Sequence, residues 1–230
     1  YAAARCLYVG DDSPQTGVTA TTIDPERVAI VRGKVTDSVG NPLPDVRVAV
    51  HRHTEFGQTL TDEQGQYALA VNGGEGLTLQ FEKAGLLSVQ RQKRVDWQRF
   101  VVYPNVTLLG HSTAATAVDL TTATTPVWAA GSEVKDASGT RAQAVLIRPG
   151  TKVTLDLPNG AQQELTEFHL RSTEYTAGAA GPAAMPGDLP NTSGYTYAAE
   201  FSLDEARSAG ATRVSFDPPV ISYVDNFLQF

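Results

Sequence analysis

The stretch VRGKVTDSVGNPLPDVRVAVHRHTEFGQTLTDEQGQYAL, Val31 to Leu69, decides the fold. Val31, Gly33 and Val35 alternate with Arg32, Lys34 and Thr36, the period of two that marks a strand with one face buried. The block Asp37-Ser38-Val39-Gly40-Asn41-Pro42 follows, built from residues that pre-set or tolerate turn dihedrals. Alternation resumes over 45–52, with Val46, Val48 and Val50 on one face. Thr61, Asp62 and Gln64 lead into Tyr67, Leu69 and Val71, and Gly65 stands where a tight turn asks for positive φ. Two half-buried strands, a turn and a third strand within forty residues describe an all-β module.

Working outward, the same signals recur. Strands are expected at 28–36, 45–52, 58–61, 66–71, 76–83, 87–94 and 100–108, with turn residues every 8–12 positions, the spacing of a sandwich. Asn72-Gly73-Gly74 is the clearest hairpin signal, and Trp97 with Phe100 is expected to cap one end of the core. Residues 1–27 carry few periodic apolar positions, apart from a short strand expected around Leu7-Tyr8-Val9. They read as an extended lead-in packed on something else. Residues 111–127 are a Thr/Ala-rich linker with a short strand expected over Ala117 to Leu120. Residues 128–230 form a second module in the same style. It has alternation at Val153, Leu155 and Leu157 and again from Phe168 to Thr173. A long Gly/Ala/Pro loop fills 177–192, and one short helix is expected near 203–209, capped by Ser202 or Asp204 and ended by Gly210.

Composition bounds the function classes. With 41% hydrophobic residues among 230, the chain can bury cores and is long enough for two ordinary domains. A net charge of −7 argues against nucleic acid and anionic membranes as partners. One cysteine, Cys6, excludes an internal disulfide. No apolar run reaches the length of a membrane span, and Tyr1-Ala2-Ala3-Ala4-Arg5 lacks the pattern of a signal peptide. The abrupt start and stop read as those of a piece of a larger protein.

The first module resembles the transthyretin-like, carboxypeptidase-regulatory sandwiches. Gly33-Lys34-Val35-Thr36-Asp37, Gly40-Asn41-Pro42-Leu43-Pro44-Asp45-Val46 and Thr61-Asp62-Glu63-Gln64-Gly65-Gln66-Tyr67 carry the resemblance. One position departs from it: Asp45 stands where that family usually has Gly.

A wider set of strings resembles the segment ahead of the barrel in bacterial Rhs/YD-repeat proteins and the related teneurins. Among them are Gln15-Thr16-Gly17-Val18, Glu55-Phe56-Gly57, Glu82-Lys83-Ala84-Gly85, Gly181-Pro182-Ala183-Ala184-Met185-Pro186 and Tyr223-Val224-Asp225-Asn226-Phe227-Leu228. The resemblance implies an all-β chain of two antiparallel β-sandwiches in tandem. The first, over 28–110, would be transthyretin-like, and the second, over 128–230, an immunoglobulin- or fibronectin-like plug for one end of a YD-repeat β-shell. It further implies a non-catalytic part of a secreted or surface-displayed toxin or adhesion protein, with no cofactor. The expected partner is the shell of the same polypeptide, with another protein or a carbohydrate as a further partner class. The residues expected to meet that shell or partner are Met185, Pro186, Leu189, Tyr195, Tyr197, Tyr223, Phe227, Leu228 and Phe230.

Residues with chemical potential have plainer readings. His51 and His53, two apart beside Glu55, have a spacing that suits zinc, but only His111 and His169 remain as further histidines. Surface or partner-facing histidines are the preferred reading. Asp37, Asp45 and Asp62 lack calcium-loop spacing and read as turn caps. His169 and Ser172 sit in a run, 147–172, that loosely resembles self-cleaving ZU5-type sandwiches. The plainer reading is two residues decorating a strand, and Glu164, Glu167 and Glu174 read as a solvated face. Trp97, Trp128, Tyr195 and Tyr197 offer a stacking platform under the alternative of an adhesin-like sandwich that binds carbohydrate or a host protein.

Overall fold

The computed structural model describes residues 2–19, 21–178, 180–189, 192 and 196–227. It divides into two compact units, Tyr1–Gly110 with Ala179–Thr196, and His111–Gly178 with Tyr197–Phe230. Both are built from β-strands.

The first unit is a sandwich. Its strands are β1 (Val28–Thr36), β2 (Arg47–Val50), β3 (Gln58–Leu60), β4 (Gln66–Asn72), β5 (Glu75–Glu82), β6 (Val89–Val95), β7 (Phe100–Val102) and β8 (Val106–Thr107). One sheet runs β4-β1-β7, with β8 also on β1; the other runs β3-β2-β5-β6. Inward positions of both sheets meet in one core: Val31, Val35, Tyr67 and Leu69 from the first, Val48, Leu77, Leu79 and Phe81 from the second. The expected strand at 100–108 is two strands, because Pro104 lacks an N–H to donate between them. Both pair with β1 in parallel rather than antiparallel fashion. The hairpin expected at Asn72-Gly73-Gly74 is instead a turn between the two sheets: β4 pairs with β1, and β5 pairs with β2 and β6, so the strands it joins are not partners.

The lead-in belongs to this unit. Ala4, Tyr8 and Ile23 are part of its core, and Gln15 is 1% exposed. In place of a strand over 7–9, the chain makes the helical turn α1 (Ala2–Arg5) followed by turns. A second single turn, α2 (Gly181–Ala184), comes from the Ala179–Thr196 segment and packs beside β8. The long loop expected in the second module is therefore a component of the first unit.

Two features of the quoted stretch have clear local causes. Gly65 adopts φ +71°, and a Cβ there would stand 2.3 Å from the Val35 carbonyl oxygen. Asp45 also takes positive φ, 55°, so the backbone keeps the left-handed geometry that glycine usually serves in this turn. Trp97 and Phe100 do not cap the core: they are 55% and 62% exposed. The Trp97 indole N–H donates to the Gly73 carbonyl at 2.9 Å and so clamps the β4–β5 turn from outside. Phe100 lies under the Arg32 guanidinium, 5.5 Å from ring centre to Cζ.

The second unit holds β9 (Thr116–Asp119), β10 (Val127–Ala130), β11 (Val134–Asp136), β12 (Gly139–Arg141), β13 (Gln143–Ile147), β14 (Lys152–Asp156), β15 (Gln162–Leu165), β16 (Glu167–Glu174), β17 (Ala199–Leu203), β18 (Arg213–Asp217) and β19 (Ile221–Val224). Three three-stranded antiparallel sheets, β10-β13-β19, β15-β14-β18 and β17-β16-β9, surround a core of Val145, Ile147, Val153, Leu155, Phe168 and Leu170. Part of the expected linker is thus structural, since β9 pairs with β16. The expected helix is α3 (Asp204–Ser208). Its N-cap is Leu203, with no side-chain cap, because its acidic residues reach β16 instead. Asp204 grips Arg171 at 2.7 Å through both oxygens, and Glu205 binds His169.

Candidate functional site

Within the first unit, Met185, Pro186 and Leu189 lie on a strap laid along the free edge of β6. Residues 90 and 92 face that edge, since their odd-numbered neighbours bond to β5. The Gln90 N–H donates to the Pro186 carbonyl at 2.9 Å, and the Gln92 N–H donates to the Asp188 carboxylate at 2.8 Å. Between them stands Arg91, 3% exposed. Its guanidinium donates to the carbonyls of Met185 (2.8 Å), Ala183 (2.7 Å) and Gln90 (2.7 Å), and its Nε lies 3.8 Å from the Asp188 carboxylate. A buried cation demands such a shell, because each unpaired N–H out of water is costly. Ala184 and Met185 are buried beside it, whereas Leu189 is 37% exposed.

Tyr197, Tyr223 and Phe227 belong to the second unit, where Tyr197 and Phe227 meet. Arg141, 1% exposed, is its hub. It forms a fork with both Asp136 oxygens at 2.9 Å and reaches the Glu174 carboxylate at 2.6 Å. Phe227 lies 4.7 Å below its guanidinium, and Tyr197 is 6.3 Å from Phe227. The Tyr197 hydroxyl donates to the Gln143 carboxamide. Arg141 and the N–H groups of Gly178 and Ser138 hold the Asp136 carboxyl well below the usual range. Glu174 is not part of a solvated face: its side chain is 5% exposed and bound to this arginine. Glu164 and Glu167 are exposed as expected. Phe227 is tied in by Asp225, whose carboxylate accepts from the Ala142 N–H at 2.8 Å. Tyr195, Leu228 and Phe230 lie outside the described residues.

Tyr223 faces outward. By strand alternation Trp128, Leu146, Ala144, Ile221 and Tyr223 share the outer face of β10-β13-β19. Trp128 and Tyr223 pack at 5.1 Å and are 53% and 45% exposed. Trp97 belongs to the first unit, so the four aromatics read as one stacking platform are not gathered on one sheet. A cleft of about 660 Å³ opens on the outer face of β4-β1-β7, lined by Arg32, Lys34, Leu60, Asp62, Val102 and Asn105 among others.

The other candidates resolve into local structure. β2 ends at Val50, and Arg52 at φ +63° turns the chain, so His51 and His53 do not share a strand face. His51 pairs with Gln80 at 3.0 Å, and His53 pairs with Glu55 at 2.9 Å while stacking on Phe56. Among the described residues no three of His, Cys, Asp or Glu gather as a metal site. Asp37 and Asp62 cap turns, accepting from the backbone N–H groups of Val39 and Asn41, and of Gln64 and Gln66. His169 and Ser172, three apart on β16, point to opposite faces. His169 is exposed beside Glu205, and Ser172 is buried at 4% with no partner for its hydroxyl. They do not form a catalytic pair.

The strap, Gln15 and Arg141 carry the least signal in the sequence. Small residues conceal the strap, and an arginine on an alternating strand reads as solvent-facing. The string Gly181 to Pro186, already singled out by resemblance, was the available clue to the first of them.

Residues 23–108 match the family described as the teneurin TTR-like domain. The chain is 28% identical over 102 residues to teneurin-1 of Gallus gallus, a stretch that is 44% of this chain and 4% of that protein. It is 30% identical over 106 residues to teneurin-3 of Mus musculus (44% and 4%). Teneurin-m of Drosophila melanogaster is 35% identical over 96 residues (42% and 4%). The chain thus spans about 4% of the length of the curated relatives it matches. Among solved structures, 3-chlorocatechol 1,2-dioxygenase of Rhodococcus opacus aligns with TM-score 0.33 and 16% identity over 42% of this chain and 65% of that one. At that score the likeness carries no argument about fold or activity.

Proposed function

We propose that this chain is a non-catalytic structural module of a larger secreted or surface-displayed Rhs/YD-repeat protein, in which the second unit plugs one end of the YD-repeat β-shell. The observation that carries it is the match of residues 23–108 to the teneurin TTR-like domain. The first unit positions the second, and the second presents the face of Trp128, Tyr223 and Leu146 to the shell. Tyr197 and Phe227 hold the last strand in place through Arg141 rather than touching the shell themselves.

Cross-linking mass spectrometry on the parent polypeptide tests this reading. Lys135 and Lys152 of the second unit should link to shell residues, and Trp128→Ala with Tyr223→Ala should open the shell to protease while leaving the second unit folded. Links confined to the 230 residues themselves would overturn it.

The exposed Trp128–Tyr223 pair also favours a second reading, an adhesin-like sandwich that stacks a carbohydrate on these rings. A glycan array probed with the intact chain separates the two. Hits abolished by Trp128→Ala support the adhesin, and a blank array removes it.

A further inference from the structure

The contacts of the strap have the form of a ligand in a binding site. Its residues that bond to β6, within 183–188, come from a part of the sequence more than ninety positions beyond the β6 residues they meet. The chain leaves the second unit after Gly178 and returns to it at Tyr197. What β6 reads in the strap is ordered along its sequence, from the end of α2 onward. Two carbonyls, those of Ala183 and Met185, go to the Arg91 guanidinium. The next carbonyl, of Pro186, goes to the Gln90 N–H. A carboxylate two residues later, Asp188, goes to the Gln92 N–H. Pro186 brings no N–H of its own, so that residue leaves no donor unmatched at the edge. Backbone bonds to a strand edge give affinity to such a segment, and buried side chains give it specificity. Here the buried side chains are Ala184 and Met185, 0% and 6% exposed.

We propose that Arg91 and the β6 edge form a peptide-recognition site, and that its ligand is the segment around Ala183-Ala184-Met185-Pro186-Gly187-Asp188, held here in cis. An emptied site would leave the buried Arg91 without the two strap carbonyls and the carboxylate, and β6 with two unpaired edge N–H groups. It therefore takes the same segment from a separate molecule. The proposal does not rest on the shell-plug reading.

The test uses the full chain with residues 181–189 replaced by a Gly/Ser stretch of equal length, titrated with the synthetic peptide GPAAMPGDL and a scrambled control. Saturable binding of the native peptide alone is expected. Asp188→Asn in the peptide should weaken it about fivefold to tenfold, and Arg91→Met in the protein by more than about twentyfold. A folded, emptied protein that binds neither peptide, or both equally, overturns the proposal. Should the emptied chain fail to fold, amide exchange on the unaltered chain and on its Asp188→Asn and Arg91→Lys variants decides the matter. Faster exchange confined to Gln90, Gln92 and the strap supports the site, and unchanged protection at Gln90 and Gln92 overturns it.

Discussion

The Gln15 carboxamide pairs with the backbone of Ala70 as one strand residue pairs with another. Its oxygen accepts the Ala70 N–H at 2.8 Å, and its nitrogen donates to the Ala70 carbonyl at 2.9 Å. The same nitrogen donates to the Phe56 carbonyl at 2.8 Å. Ala70 is directed away from β1 at the open edge of β4, so a side chain from the lead-in completes an edge that would otherwise carry unpaired groups.

Replacing Gln15 by Leu keeps the volume roughly constant and leaves two carbonyls and an N–H buried without partners. Each such loss costs about 1–3 kcal/mol, so the first unit should lose about 3 kcal/mol or more. Gln15→Glu should be no better, because it sets a carboxylate oxygen against two carbonyls. The fluorescence of Trp97 in a Trp128→Phe background reports the first unit alone, since the chain holds only these two tryptophans. A urea midpoint unchanged by Gln15→Leu would show that the lead-in is not part of the folded unit.

Gly33 and Tyr67 are directly opposed on β1 and β4. The Tyr67 ring covers the glycine so closely that a Cβ on Gly33 would lie 2.7 Å from the phenolic oxygen. That hydroxyl is buried and has no hydrogen-bond partner, and burial pushes its pKa up. Tyr67→Phe should therefore be neutral or stabilise by about 1 kcal/mol, since it removes an unpaired polar group. Gly33→Ala alone should destabilise, and the loss should shrink when Tyr67→Phe is present. A thermodynamic cycle with strictly additive effects would contradict this contact.

Much of the first unit was legible in Val31 to Leu69 because its signals are local. The alternation of β1, the turn glycines after Asn72 and the turn aspartates Asp37 and Asp62 each act within a few residues, whereas the pairing of the strands that follow Asn72 does not, since β4 and β5 join different sheets. What escaped sequence reasoning depends on distant partners. Gln15 acquires its role only when Ala70 arrives, 55 residues later. Arg141 reads as a solvent-facing strand residue until Asp136, Glu174 and Phe227 surround it. The strap, rich in Gly, Ala and Pro, gives little pattern because backbone carbonyls make many of its contacts. Of the residues expected to meet a partner, Met185 is spent on burial and Phe227 on the Arg141 hub, leaving Tyr223 and Leu189 exposed among those described.

Asp45 and Gly65 make opposite demands at left-handed positions. Asp45, exposed at φ +55°, pays the penalty of a Cβ in that region without a clash. Asp45→Gly should stabilise the first unit by about 0.5–1 kcal/mol, the relief being partly offset by a more flexible unfolded chain. Gly65→Ala meets the Val35 carbonyl at 2.3 Å and should cost more than about 2 kcal/mol. Thermal melts of the two variants should move in opposite directions, and a Gly65→Ala midpoint within a degree of the parent would show that the turn opens freely.

Acid should weaken the second unit through Arg141. A carboxyl whose folded-state pKa is depressed adds stability that is complete above its unfolded value near 3.9 and drains away as pH falls through the folded value. Asp136 is held well below that value by Arg141. The melting point of the second unit, read from Trp128 in a Trp97→Phe background, should therefore fall steadily below about pH 4. Arg141→Met strands two carboxylates, one of them buried, and removes a cation from the Phe227 face. At pH 7 it should destabilise the second unit by about 3 kcal/mol or more, as breaking one side of a buried pair does. It should also flatten the acid limb, because Asp136 then loses the largest cause of its depression and keeps only the Gly178 and Ser138 N–H groups. Asp119, pushed down to about 2 by the hydroxyl of Thr121 and then that of Thr122, keeps a residual slope in the variant. An Arg141→Met protein with the parent's full acid dependence would assign that dependence to carboxylates other than Asp136.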